Sequence, residues 1–154
     1  MLNQQAKEIT FTRILNAPRE LVFKAWTDET HMAQWWGPKG FTNPVCTMDV
    51  RPDGSLYIAM TAPNGMAYPT KGTFHEISEP GRLVFTTTAF DDEHGTPGIE
   101  MLNTVTFEEQ DGKTKLTLRV TPVKVLPAFA EAVTGMNKGW NESLDRLTAV
   151  VECV

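Results

Sequence analysis

The stretch PAFAEAVTGMNKGWNESLDRLTAVV, residues 127–151, decides the fold. Its bulky apolar residues are Phe129, Val133, Met136, Trp140, Leu144, Leu147 and Val151, in steps of four, three, four, four, three and four. That spacing predicts one stripe along a single α-helix. Pro127 suits the first helical turn, where its missing N–H is not needed. Glu131, Lys138, Glu142, Asp145 and Glu152 fall on a different face. Burying seven such side chains is worth roughly 10 to 20 kcal/mol, while ordering about 25 residues costs about 1 to 2 kcal/mol each. The helix therefore needs a wide apolar surface to lie on.

A second stripe runs beside the first. Ala128, Ala132, Gly135, Gly139 and Ser143 recur at helical spacing, about 100° around from the bulky residues. Each glycine costs roughly 1 kcal/mol relative to alanine in a helix, so something must offset it. Two readings stay open: close packing against another element, or space left for a ligand beside the helix.

The surface the helix needs is supplied upstream. Glu8 to Leu15 alternates as a strand and ends at Asn16-Ala17-Pro18. Pro18 then opens a short helix with Leu21, Val22, Ala25 and Trp26 on its apolar side, and Asp28 or Thr30 is placed to cap a second through Met32 and Trp35, ending at Gly37-Pro38. From Val45 onward the pattern is strand and turn: Val45 to Val50, Ser55 to Thr61, Ala67 to Ile77, Arg82 to Thr88, Met101 to Glu108 and Lys113 to Thr121. The short breaks at Pro52-Asp53-Gly54, Pro63-Asn64-Gly65, Glu79-Pro80-Gly81 and Gln110-Asp111-Gly112 make the pairing antiparallel. Leu116, Leu118 and Val120 alternate with Lys115, Thr117 and Arg119, so one face is dry and the other wet. Ala89 to Gly98 is the longest polar loop and a candidate for mobility. The fold class is α+β: an antiparallel sheet of six to seven strands, two short helices after the first, and one long helix at the end, in a single domain over residues 1–154.

Composition narrows function. The chain has 154 residues, is 41% hydrophobic and 21% charged, and carries a formal net charge of -5. Without clustered Lys or Arg this excludes a nucleic-acid footprint or an anionic-membrane surface. No apolar run approaches a membrane span and the first thirteen residues lack the core of a signal peptide, so a cytoplasmic protein is expected. Cys46 and Cys153 fit no paired spacing and are expected to be reduced thiols. Asn141-Glu142-Ser143 matches a glycosylation sequon by chance, inside a helix.

Taken together, several stretches resemble one family: Ala17-Pro18, Trp35-Trp36-Gly37-Pro38, Arg51-Pro52-Asp53-Gly54, Gly72-Thr73-Phe74-His75-Glu76-Ile77, Arg82-Leu83-Val84-Phe85-Thr86, and Gly139-Trp140 leading to Ser143-Leu144-Asp145-Arg146-Leu147. In this order they resemble the activator of heat-shock-protein-90 ATPase homologue family, within the START-like, or SRPBCC, helix-grip superfamily. The resemblance implies a curved sheet gripping the C-terminal helix, with a cavity between them that holds an apolar ligand in many members. It also brings in a chaperone as a candidate partner.

Candidate residues follow from these readings. Trp35, Trp36 and Phe41 sit in a loop broken by glycine and proline, either as a plug at the core's end or as the lip of a pocket. With Met60, Tyr68, Phe85, Met101, Phe129, Ala132, Met136, Gly139 and Trp140 they form the candidate lining for a small apolar or aromatic molecule. Asp49, Arg51, His75, Glu100 and Asn103 sit in or beside strands, and two readings stay open for them: that they face water, or that they face such a cavity, where burial would perturb a carboxylate enough for acid–base work. His31, His75 and His94 have no metal-ligand spacing, and no phosphate loop or nucleophile motif occurs, so neither a metal nor a cofactor is expected. Three classes remain: a small-molecule binding protein, which is preferred; an enzyme of cyclase or hydrolase type using the same pocket; and a chaperone-associated interaction protein. A monomer or weak homodimer is expected.

Overall fold

The computed structural model describes residues 8–152. Strand β1 (Ile9–Leu15) leads into helices α1 (Arg19–Thr27) and α2 (Glu29–Trp35), then strands β2 (Cys46–Met48), β3 (Ser55–Thr61), β4 (Ala67–Ser78), β5 (Arg82–Ala89), β6 (Ile99–Gln110) and β7 (Lys113–Val125). A short 3-10 turn (Pro127–Phe129), α3 (Ala130–Thr134) and α4 (Met136–Glu152) finish the chain. This is the expected α+β class. The seven strands form one antiparallel sheet in the order β1-β7-β6-β5-β4-β3-β2. Because β1 pairs with β7, helices α1 and α2 carry the chain from one edge of the sheet to the other.

Local chemistry explains the helix starts. Asp28 caps α2, its Oδ1 accepting from the amides of Thr30 at 2.8 Å and His31 at 3.4 Å. Pro18 stands at the N-cap of α1. The strands run longer than expected at β6 and β7 and shorter at β2, where three residues pair in place of six. Register slips at Phe74/Glu76 and Glu100/Met101 bend the sheet.

One long helix over 127–151 is not what forms. The segment is divided into a 3-10 turn, one turn of α-helix and then α4, with the join at Gly135. Gly135 keeps φ -76° but flattens to ψ -9°, away from the helical value near -42°, and no side chain anchors it. Before it, the ring of Phe129 stacks on Phe90, centroids 4.8 Å apart and 13° from parallel, which fixes the first turn outside the regular ladder.

The core lies between the concave sheet face and the helices. Leu83, Phe85, Val105, Leu116 and Leu118 are fully enclosed from the sheet side, as are Val22, Ala25, Trp26 and Trp35 from α1 and α2. Leu144, Leu147 and Val151 of α4 join them, each worth about 1.5 to 3 kcal/mol of burial. Arg13, on the inward face of β1, emerges to pair with Asp145 at 2.7 Å and so ties the edge strand to α4.

Candidate functional site

Between the first half of α4 and strands β3 to β6 the packing stops and a cavity of about 630 Å³ opens. Its floor is the sheet: Thr70, Thr87, Ile99, Met101 and Asn103. Its helix side is Ala132, Gly135, Met136, Gly139, Trp140 and Ser143, and its end is Trp36, Gly37, Pro38 and Met60. Tyr68, Phe90, Lys71 and Asp91 stand at the mouth.

The small-residue stripe borders this space. A Cβ built on Gly139 would meet only Pro38 Cγ, at 3.7 Å, and one on Gly135 only carbonyls of its own helix at 3.8 Å. Neither glycine is therefore required for a close approach between elements. What the two glycines leave is room beside the helix, so close packing does not account for the stripe. Ala128 is exposed and stands apart.

The end wall is held by polar contacts that the sequence does not advertise. Arg146 Nη1 donates to the carbonyls of Trp36, Gly37 and Pro38 at 3.2, 2.9 and 3.0 Å, and Nη2 donates to Gln34 O at 3.1 Å. These are orphan carbonyls at and just beyond the C-terminal end of α2, where a cation is favoured. Partial burial without a carboxylate beside it pulls the Arg146 pKa below its ordinary value. Ser143 Oγ accepts from the Gly37 amide at 3.0 Å, and Glu142 Oε1 accepts from the Lys39 amide at 3.0 Å. Asn43 Nδ2 adds bonds to Ala33 O and Trp36 O. Gly37 itself is at φ +98°, where a side chain is strained; a Cβ there would also press on Met60 Sδ at 3.0 Å.

Of the twelve lining candidates, eight border the cavity: Trp36, Met60, Tyr68, Met101, Ala132, Met136, Gly139 and Trp140. The other four do not. Trp35 is fully buried, its Nε1 donating to Ala25 O at 2.9 Å, so it is a plug, while its neighbour Trp36, also buried, forms part of the cavity's end wall. Phe85 is enclosed in the core against Trp26 and Phe74. Phe41 packs on Tyr68, ring centroids 6.2 Å apart, and is not on the lining. Phe129 is occupied by Phe90 and covers Gly98, where a Cβ would collide with its ring. Residues missed by sequence reasoning include Thr70, Thr87, Phe90 and Ile99 on the lining and Arg146 behind it. Strand alternation in phase with Met101 and Ile99 was the available signal for the sheet residues.

The polar strand residues separate in the same way. Asp49 and Arg51 pair with each other at 2.7 Å on an exposed turn. His75 is exposed, with Nε2 3.1 Å from Thr86 Oγ1. Glu100 is half-exposed and is not among the lining residues. Asn103 alone borders the cavity. The one carboxylate on the lining, Asp91, is bound to Lys71 at 2.8 Å, and that bond raises the Lys71 pKa.

Among the described residues no group of three His, Cys, Asp or Glu side chains is arranged to hold a metal ion. Cys46 is half-buried and unbonded, its thiol pushed up to about 11 by burial and then by the charges of Glu29 and Asp28. Cys153 lies outside the described residues. No helix among them is long and apolar enough to cross a membrane.

Comparison with known proteins agrees with this architecture. Residues 16–152 match the family described as activator of Hsp90 ATPase homolog 1-like protein. A protein of Arthrobacter aurescens solved by solution NMR superimposes with a TM-score of 0.83 at 25% identity, over 97% of this chain and 88% of that one. Protein CV1439 from Chromobacterium violaceum gives 0.79 at 27% identity, over 95% and 97%. The AHSA1 protein SPO3351 from Silicibacter pomeroyi gives 0.76 at 24% identity over 92% and 95%, a likeness of fold. No curated protein matches the chain.

Proposed function

The chain belongs to the activator of Hsp90 ATPase homolog 1-like family, and from that premise we propose that it binds a small apolar or aromatic molecule between the sheet and α4. The observation that carries this reading is the cavity of about 630 Å³. That volume lies in the range of roughly 300 to 1,000 Å³ usual for small-molecule sites. Methionines at 60, 101 and 136 and tryptophans at 36 and 140 supply adaptable and rigid apolar walls.

The wall is built to stay open. Trp140 stacks on Trp26, centroids 6.1 Å apart, and meets Trp36 edge-on at 5.2 Å, so its ring is braced from behind. Arg146 and Ser143 hold the Trp36–Pro38 backbone at the other side. A preorganised site spends little of its binding free energy on ordering itself.

Native mass spectrometry of freshly purified protein tests the reading. A co-purified organic molecule, displaced by an excess of the apolar dye phenyl-naphthylamine, is the expected result. Protein that carries no adduct and takes up no dye would contradict it.

A further inference from the structure

The cavity is largely apolar; its interior polar side chains are the hydroxyls of Thr70, Thr87, Thr88 and Ser143 and a single amide, Asn103. Asn103, on β6, is 1% exposed and borders the space. Its Nδ2 donates to Phe85 O at 3.2 Å and to Thr87 Oγ1 at 3.1 Å. Because Phe85 O is a carbonyl and only accepts, the amide's orientation is fixed: nitrogen toward β5, oxygen away from it. Among the described residues Oδ1 receives no hydrogen bond. It also differs from Asn43 Oδ1, which is sealed in protein without a partner; the Asn103 oxygen is not sealed in that way, and its side chain borders the cavity.

The electrostatics of the walls say which groups suit that oxygen. No charged side chain stands in the interior: Lys71 and Asp91 are at the mouth and neutralise each other. An ionised carboxylate brought to Asn103 would lose its hydration and face an acceptor, and an ammonium would be desolvated with one neutral partner. A hydroxyl loses little and gives the amide oxygen the donor it lacks. On the reading that the cavity binds a small molecule, we propose that the ligand is uncharged, apolar over most of its surface, and carries a hydroxyl or similar donor at its buried end, received by Asn103 Oδ1. Asn103 is thus the specificity-determining residue of the site.

Titration of the protein with naphthol, its methyl ether and naphthoate, by calorimetry, tests this. Naphthol and the ether present nearly the same apolar surface, but only naphthol donates. The wild type is expected to bind naphthol about tenfold more tightly than the ether, with naphthoate weaker than both. In Asn103→Leu the two neutral compounds are expected to bind equally. Equal affinities in the wild type, a preference for naphthoate, or a naphthol preference that survives in Asn103→Leu would each overturn the assignment while leaving the cavity's role intact. If none of the three compounds binds, the binding role falls and the assignment falls with it. Should Asn103→Leu fail to fold, the wild-type comparison of naphthol with its ether decides alone.

Discussion

The two halves of α4 follow one sequence rule and meet opposite fates. From Leu144 to Val151 the bulky stripe is sealed: Leu144, Leu147 and Val151 are 0 to 2% exposed and belong to the core. From Met136 to Trp140 the same stripe is only half-buried, and the residues beside it, Gly135 and Gly139, face open space. The difference is made by what lies opposite. The second half joins the core and is tied to β1 through Asp145 and to the Trp36–Pro38 loop through Arg146, whereas the first half, with Trp140 braced on Trp26, faces the sheet across the cavity. A helix can thus hold a fold together at one end and keep a cavity at the other.

The largest effect is expected in the sealed half. Leu147→Ala should lose about 2 to 5 kcal/mol of stability in urea unfolding, and Met136→Ala, at the cavity wall, less than about 1 kcal/mol. Equal losses would erase the distinction between the halves. Arg146→Met comes next, at about 1 to 3 kcal/mol, because it strands several carbonyls at once; it should also weaken dye binding by displacing Trp36. Smaller and of opposite sign, Gly139→Ala should raise stability by roughly 0.5 to 1 kcal/mol, since its Cβ meets nothing closer than 3.7 Å. A loss there would mean that the stripe is close-packed after all.

The smallest effect concerns the loop at the mouth. Asp92 Oδ1 accepts from the amides of Thr96 at 2.9 Å and His94 at 2.8 Å, and these bonds hold its pKa below the usual carboxylate range. A carboxylate depressed by folding contributes order above its unfolded pKa and loses it as pH falls through the lower folded value. The Thr96 amide should therefore exchange faster relative to the core only at pH below the ordinary carboxylate range. Measurement of amide exchange against pH checks this, and an onset near neutrality would refute it.

How much was legible beforehand follows the same division. Periodicity of 3.6 and of 2 was enough to find α1, α2, the strands and the sealed face of α4, though not the break at Gly135, because burial there depends on residue type and spacing alone. The paired stripes of α4 also marked the open face. What spacing could not carry was the identity of the support. Arg146 reaches four carbonyls more than a hundred residues away in sequence, and no local pattern distinguishes it from a solvated arginine. Trp35 and Trp36 are adjacent and alike, yet one plugs the core and the other walls the cavity, because the helix ends between them. Phe129 fitted the helical stripe but was taken by Phe90, a contact set by loop geometry.

The central claim is that the glycine face of α4 leaves room for a molecule. Dye titration of Gly139→Leu beside the wild type measures this most directly. The expected result is an unfolding midpoint no lower than wild type, with dye binding abolished by the leucine in the cavity. A variant that is destabilised by about 1 to 3 kcal/mol, as overpacking demands, or one that binds the dye as well as the wild type does, would contradict it.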